Sequence, residues 1–199
     1  MLNHLLTRLT RHLARPLRRF GAREDGSVLA EGVIVLPLLI WAFIGLFVYW
    51  DAFREMNTVQ KAGYTLSDVL SRQKTGVNNA YVTGMKDLLD YLVNTEGNET
   101  TLRVTSVTRN ITTNKYEVHW SRTTNSLKMP VLSTSKLQDY LAQIPTMSYA
   151  DYAIIVEVQV PYAPAFNVGL AEQTFNEFIV TRPRFLPCVA MDNVPCSGS

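Results

Sequence analysis

The sequence has few of the residues that enzymes use for chemistry, with three histidines and two cysteines among 199 residues. His4 and His12 lie near the N-terminus, and His119 stands alone in an alternating segment, where we expect a surface or half-buried strand residue. No CxxC pair and no HExxH, GxSxG, P-loop or GxGxxG pattern occurs, and the acidic residues are not clustered at metal-ligand spacing. We therefore expect no catalytic residues, no metal, no cofactor and no nucleic-acid partner.

Charge is missing from one long stretch, residues 32–50, which read GVIVLPLLIWAFIGLFVYW. At 1.5 Å per residue this segment covers about 28 Å, close to the thickness of a bilayer's hydrocarbon core. A buried globular helix is the alternative, but such helices are rarely apolar on all sides. A cleaved secretory signal fits poorly, because the basic lead-in exceeds twenty residues and no small-residue cleavage site follows. The segment predicts a transmembrane helix.

Acidic residues are absent from residues 1–23, which instead carry six arginines. The positive-inside rule then keeps the N-terminus in the cytoplasm and sends the chain after about residue 51 across the membrane. Leucines recur at helical spacing between the arginines, which indicates a basic amphipathic helix on an anionic membrane surface. A mitochondrial transit peptide shares these traits and remains an alternative for this leader. The arginines are Arg8, Arg11, Arg15, Arg18, Arg19 and Arg23.

The two cysteines, Cys188 and Cys196, lie near the C-terminus with seven residues between them. A disulfide between them would need an oxidising compartment, which agrees with the predicted orientation. Two free thiols on a mobile tail are the alternative.

The glutamate at the edge of the apolar run, Glu31, has a pattern around it. In GSVLAEGVIVLPLLI, Ser27 is the first residue after Gly26 and Glu31 is the fifth. This stretch resembles the opening of TadE-like minor pilins of the tight-adherence pilus, within the wider class of type IV pilins and pseudopilins. The resemblance is strongest over residues 18–60, and DYAIIVEVQVPYAPAF and TRPR also resemble the family; one departure is Gly32, where these pilins usually carry Tyr or Phe.

The resemblance implies that an aspartic prepilin peptidase cuts between Gly26 and Ser27 and that Glu31 is an assembly contact. It also implies other pilin and pseudopilin subunits as partners and residence in the bacterial inner membrane, with the outer domain periplasmic or incorporated in the pilus. Independently, a new α-amino group on Ser27 would lie four helical residues from the Glu31 carboxylate and offset its charge. Alternatively, Glu31 simply reaches into the cytoplasmic headgroups.

Beyond the apolar run, the hydrophobic pattern predicts one helix over about residues 27–73 and a second over about 77–93. Strands are expected at 102–108, 116–122, 152–160 and 174–181, with a polar turn at 95–101 and a short helix, capped by Ser133 or Ser135, that ends at about residue 143. The sum is an α+β fold with a small antiparallel sheet.

The predicted organisation has five parts: a leader (1–26), a transmembrane helix (27–50), an amphipathic extension (51–76), an extracytoplasmic α+β domain (77–187) and a cysteine-containing tail (188–199). We expect a processed minor pilin or pseudopilin. The alternatives are an uncleaved single-span anchor or scaffold of the assembly machinery and a mitochondrial inner-membrane protein.

Overall fold

The computed structural model of the chain describes residues 25–94, 100–192 and 194–196. It divides into two compact units, residues 1–49 and residues 50–199. The predicted amphipathic leader helix, up to residue 24, and most of the predicted polar turn, residues 95–99, lie outside the described residues.

One long helix, α1 (Asp25–Ser71), accounts for all the described residues of the first unit and continues into the second. The sequence predicts this helix over residues 27–73, and the structure confirms it within two residues at each end. Pro37 lies inside the helix without ending it. Proline removes one backbone donor and frees the carbonyl four residues earlier, a loss that helices in membranes tolerate.

The second unit contains a four-stranded antiparallel sheet with strand order β2-β1-β3-β4. The structure confirms the predicted strands and the second helix. These elements could be predicted because alternation and 3.6-residue periodicity are local properties of the sequence. The arrangement is of the α+β class. The elements after α1 are α2 (Asn79–Leu92), β1 (Thr101–Arg109), β2 (Tyr116–Thr123), α3 (Thr134–Leu137), a 3-10 helix (Gln138–Gln143), β3 (Tyr152–Tyr162) and β4 (Gln173–Thr181).

Helices α1 and α2 cover one face of the sheet and build the larger core. In α1 the buried residues Val59, Leu66 and Leu70 recur at helical spacing and pack with β-strand residues such as Val156. Helix α2 begins after Asn78, whose side chain accepts a hydrogen bond of 2.8 Å from the Tyr81 backbone N–H, and it adds a buried stripe of its own. The hydrophobic period of α1 predicts these core positions, but it also includes Phe53 and Met56, which are exposed in the structure.

The connection between β2 and β3 covers the other face of the sheet. Leu132, Leu137, Ile144 and Met147 from this connection pack against strand residues that include Ile155. Its predicted short helix is present as α3 followed by the 3-10 helix, and Ser133 caps it.

The C-terminal segment forms part of the larger core, which corrects the predicted boundary at residue 188. Val189 and Met191 are fully buried in the cluster that α1, α2 and the sheet share. Val77 donates a backbone hydrogen bond of 2.9 Å to Ala190, and the Asp192 backbone N–H returns one of 2.9 Å to Val77. Residues 188–191 therefore complete the domain and are not a separate tail.

Candidate functional site: a bare apolar helix and its N-terminal edge

Within the first half of α1, residues 30–41 are all exposed, whereas Val48 near its end is buried. Four consecutive residues, Val33 to Leu36, are all exposed, and consecutive helical residues point about 100° apart, so every side of the helix is bare. A surface this apolar marks contact with a membrane or with other proteins. The exposed apolar side chains between residues 33 and 47 are Val33, Ile34, Val35, Leu36, Leu38, Leu39, Ile40, Trp41, Phe43, Leu46 and Phe47.

Among the described residues, one helix is long and apolar enough to cross a membrane. The qualifying part is Ala30–Ser71, whose most apolar 18-residue window has a mean hydropathy of 2.5. Only 6% of that window is buried inside the protein. A core helix of a soluble protein would be mostly buried, so low burial separates this helix from that class.

The predicted site residues at the N-terminal edge all lie in α1. Gly26 and Ser27 have helical backbone, since the helix begins at Asp25, and Glu31 is exposed. Residues four apart on a helix lie on the same side, about 6 Å apart along the axis, so the backbone of Ser27 and the Glu31 position share one face. The first carboxylate of the apolar segment thus lies beside the position where a cleaved chain would begin.

The two glycines of the apolar run lie in open surroundings. At Gly32 and at Gly45, no other atom comes within 4 Å of the place where a side chain would begin. Small residues allow helices in membranes to approach closely. Within this chain that approach is unused.

The C-terminal end of the apolar run carries an aromatic and polar cluster. The guanidinium of Arg54 lies 5.8 Å from the centre of the Trp50 ring, a cation–π arrangement. The hydroxyl of Tyr162, on β3, donates a hydrogen bond of 3.1 Å to Asp51. Aromatic and amphipathic side chains of this kind are enriched where a membrane meets water.

The two cysteines are bonded to each other in the structure. Cys188 and Cys196 form a disulfide with their Cα atoms 5.9 Å apart, and Cys188 is fully buried. Trp120 donates its indole N–H to the Val189 carbonyl at 2.8 Å, and a ring nitrogen of half-buried His119 lies 3.0 Å from the Pro195 carbonyl. The disulfide loop is held against β2 by these contacts.

No set of three or more His, Cys, Asp or Glu side chains in the described part of the chain is arranged to hold a metal ion. Arg103 and Glu157, which the sequence analysis did not single out, form a buried ion pair in the sheet. They are 54 residues apart, so only the pairing of β1 with β3 brings them together. The available signal was a charged residue in the middle of each of two buried strands.

Comparison with known proteins gives no family model that matches this chain, no similar curated protein and no similar solved structure. The sequence and the geometry described above are therefore the basis for assigning a function.

Proposed function

We propose that this chain is a membrane-anchored subunit of the pilin class, a TadE-like minor pilin or pseudopilin of a tight-adherence pilus. Its role would be in assembly, initiation or adhesion of the pilus. The observation that carries this proposal is the division of α1: the apolar residues 32–41 are exposed on every side of the helix, and the second half packs one stripe against a domain. In a pilin the same helix lies in lipid before assembly and packs among the helices of other subunits afterwards.

The N-terminal edge supports processing and assembly. Cleavage after Gly26 by a prepilin peptidase would give Ser27 a free amino group, which is positively charged below a pKa of about 8. A lone carboxylate deep in a membrane costs roughly 2.5–3.5 kcal/mol on insertion scales, less near an interface. A cation on the same chain or on a neighbouring subunit offsets that cost. Pairing of the carboxylate with this cation would set the vertical register of the helices.

The arginines and the cysteines support one orientation. Six arginines before the apolar run favour a cytoplasmic N-terminus in the bacterial inner membrane. The domain from residue 50 onward would then be periplasmic, where disulfides form and persist. The bond between Cys188 and Cys196 fits that compartment.

The second candidate is an uncleaved single-span anchor or scaffold of the same machinery. It is favoured by the position of Gly26 and Ser27 inside α1, whose helical backbone already begins at Asp25. A helical peptide bond is less accessible to a protease than an extended one. In this candidate the arginine-rich leader stays on the cytoplasmic face of the membrane.

The deciding experiment is the intact mass and N-terminal sequence of the membrane-extracted chain, from cells with and without the prepilin peptidase. We expect a chain that begins at Ser27 only when the peptidase is present. Gly26→Ile should block the cut, whereas Gly32→Ile, at a glycine with open surroundings, should leave it unchanged. A full-length chain in both strains would replace this proposal with the scaffold.

The role of Glu31 is tested in the peptidase-positive strain. Glu31→Gln keeps the size of the side chain and removes its charge, so we expect normal cleavage and loss of the chain from sheared pili. Pili that contain the Glu31→Gln chain at the wild-type level would eliminate the assembly contact and leave Glu31 as a headgroup-facing residue.

A further inference from the structure

A cleft of about 640 Å³ lies on the sheet face that the β2–β3 connection covers. Its floor comes from β1, β3 and β4, and its wall comes from residues 128–143. Ligand sites for small molecules commonly have volumes of about 300–1,000 Å³. This cleft has the size of such a site and lies wholly within the second unit.

A buried ion pair fixes the floor of the cleft. Arg103 donates two hydrogen bonds of 2.6 Å to the two carboxylate oxygens of Glu157 and a third of 2.6 Å to the Pro130 carbonyl. Arg103 is 5% exposed and Glu157 is 6% exposed. Burial disfavours the charged guanidinium, but its hydrogen bonds to Glu157 and the charge of Glu157 outweigh that effect and raise the pKa of Arg103. Through its bond to Pro130, the pair ties the wall to the floor.

Two aromatic rings form one side of the cleft. Tyr140 and Phe178 stack with their centroids 5.3 Å apart and their planes 2° from parallel. Tyr140 also contributes to the raised pKa of Arg103. The ring stack therefore lies close to the ion pair that forms the floor.

Four polar side chains around these rings are not used by the fold. Lys136, Asp139, Gln143 and Gln159 line the cleft, and their side chains make no hydrogen bond or ion pair anywhere in the described part of the chain. Gln159 is the most informative of them, because it is half-buried on β3. An amide in that position has both a donor and an acceptor to offer.

A second cavity of about 550 Å³, beside α2, shows the contrast. The hydroxyls of Thr83 and Thr124 bond to backbone carbonyls, and Arg122 donates to Asn79 and to the Ser121 carbonyl. These polar groups serve the fold, so this second cavity is the weaker candidate for a ligand.

We infer that the cleft over Arg103 and Glu157 binds a neutral saccharide. Amide side chains can pair with adjacent sugar hydroxyls as donor and acceptor, and aromatic rings cover the apolar C–H faces of a sugar ring. The charges do not select a polyanion, because Glu157 neutralises Arg103 and the other charged lining residues are two lysines and two acids, Lys128, Lys136, Asp139 and Glu177. Saccharide binding here does not depend on cleavage after Gly26, so it can fail or succeed separately from the proposed function.

The test uses the full chain in detergent on an array of neutral and acidic glycans, followed by titration calorimetry with the best neutral hit. Gln159→Ala and Gln143→Ala should each weaken binding by about three- to tenfold, because each removes hydrogen bonds to an uncharged ligand. Neither side chain has a partner among the described residues, so both variants should fold. Gln173→Ala is the matched control, since it removes an exposed amide from β4 outside the cleft.

Neutral glycan binding that weakens in the two cleft variants and not in Gln173→Ala supports the inference. Binding that none of the substitutions changes would place the saccharide elsewhere and overturn it. An array without any neutral hit for the folded chain overturns it as well. If the cleft substitutions weaken binding only of acidic glycans or of a peptide, the cleft binds a different ligand class and the inference is wrong.

Discussion

Two glutamate side chains of the sheet, Glu157 and Glu177, differ in whether a hydrogen-bond donor compensates for their burial. Glu157 is buried but accepts two hydrogen bonds from Arg103. Glu177 is half-buried on β4 and has no hydrogen bond or ion pair with any described residue. Burial disfavours the charged form of a carboxyl and raises the pKa of Glu177 above its ordinary value of 4.5. Glu177 is thus a carboxylate that costs stability at neutral pH.

We predict that Glu177→Gln stabilises the chain at neutral pH. With a raised pKa, the folded state binds more protons than the unfolded state between the ordinary and the raised value, so stability falls as pH rises through that window. The cost is complete above the raised pKa and vanishes below about pH 4, where both states are protonated. Melting curves in detergent across this pH range should separate variant and wild type at neutral pH and merge in acid.

The exposed Glu172 provides the control for Glu177. Glu172→Gln removes the same charge from an exposed site, so we expect its melting temperature at neutral pH to match that of the wild type. A Glu177→Gln chain that is no more stable than wild type at neutral pH would show that the carboxylate is adequately solvated.

Helix α1 lies close to the sheet at one of its glycines, Gly63. A side chain built at Gly63 would begin 2.8 Å from the terminal methyl of Ile179 and 3.5 Å from a methyl of Val158. The other two glycines of α1 whose surroundings are described, Gly32 and Gly45, have no atom within 4 Å of the corresponding position. The close contact lets Val59 and Leu66 reach the core on either side of it.

We predict that Gly63→Leu destabilises the domain by up to about 2 kcal/mol. The extra carbons must displace Ile179 or lift the helix, which costs about 1–3 kcal/mol, and the higher helix propensity of leucine offsets up to about 1 kcal/mol of that cost. Gly84→Leu is the matched control on α2, where no atom lies within 4 Å, and helix propensity should stabilise it by up to about 1 kcal/mol. Urea unfolding of the two variants in detergent measures both values. Equal stability of Gly63→Leu and wild type would mean that α1 can shift on the sheet without cost.

The elements were predictable from the sequence, and their long-range neighbours were not. Alternation in β1 and β3 and the helical period of α1 are local, so their positions follow from the order of residues alone. The pairing of Arg103 with Glu157 depends on strand register, and the contact of Met191 with Val77 depends on where the C-terminal segment returns. Gly26, Ser27 and Glu31 lie on one helix, so their relative positions could be predicted from the sequence. The cleft is built from three strands and a connection, so its geometry could not be predicted from the sequence.

The two units of the molecule differ in how their apolar side chains are covered. The first exposes apolar side chains, which would be stable in lipid or against other helices, and the second has its own core and a disulfide. The disulfide closes the segment that delivers Val189 and Met191 to that core. The disulfide thereby contributes to the stability of the second unit, and the periplasmic location proposed for that unit is one in which disulfides persist.

We predict that breaking the disulfide destabilises the chain by about 2–3 kcal/mol, the loss expected when a short loop is no longer closed in the unfolded state. Cys196→Ser is the informative variant, because Cys196 is partly exposed whereas Cys188 is fully buried and its replacement would also leave a cavity. Near-UV circular dichroism in detergent should show wild type under reductant melting together with Cys196→Ser, both below the oxidised chain. The same reductant should not change the melting of Cys196→Ser, which has no disulfide left to lose. If oxidised and reduced wild type melt at the same temperature, hydrogen bonds such as that from Trp120 to Val189 hold the C-terminal segment in place without the disulfide.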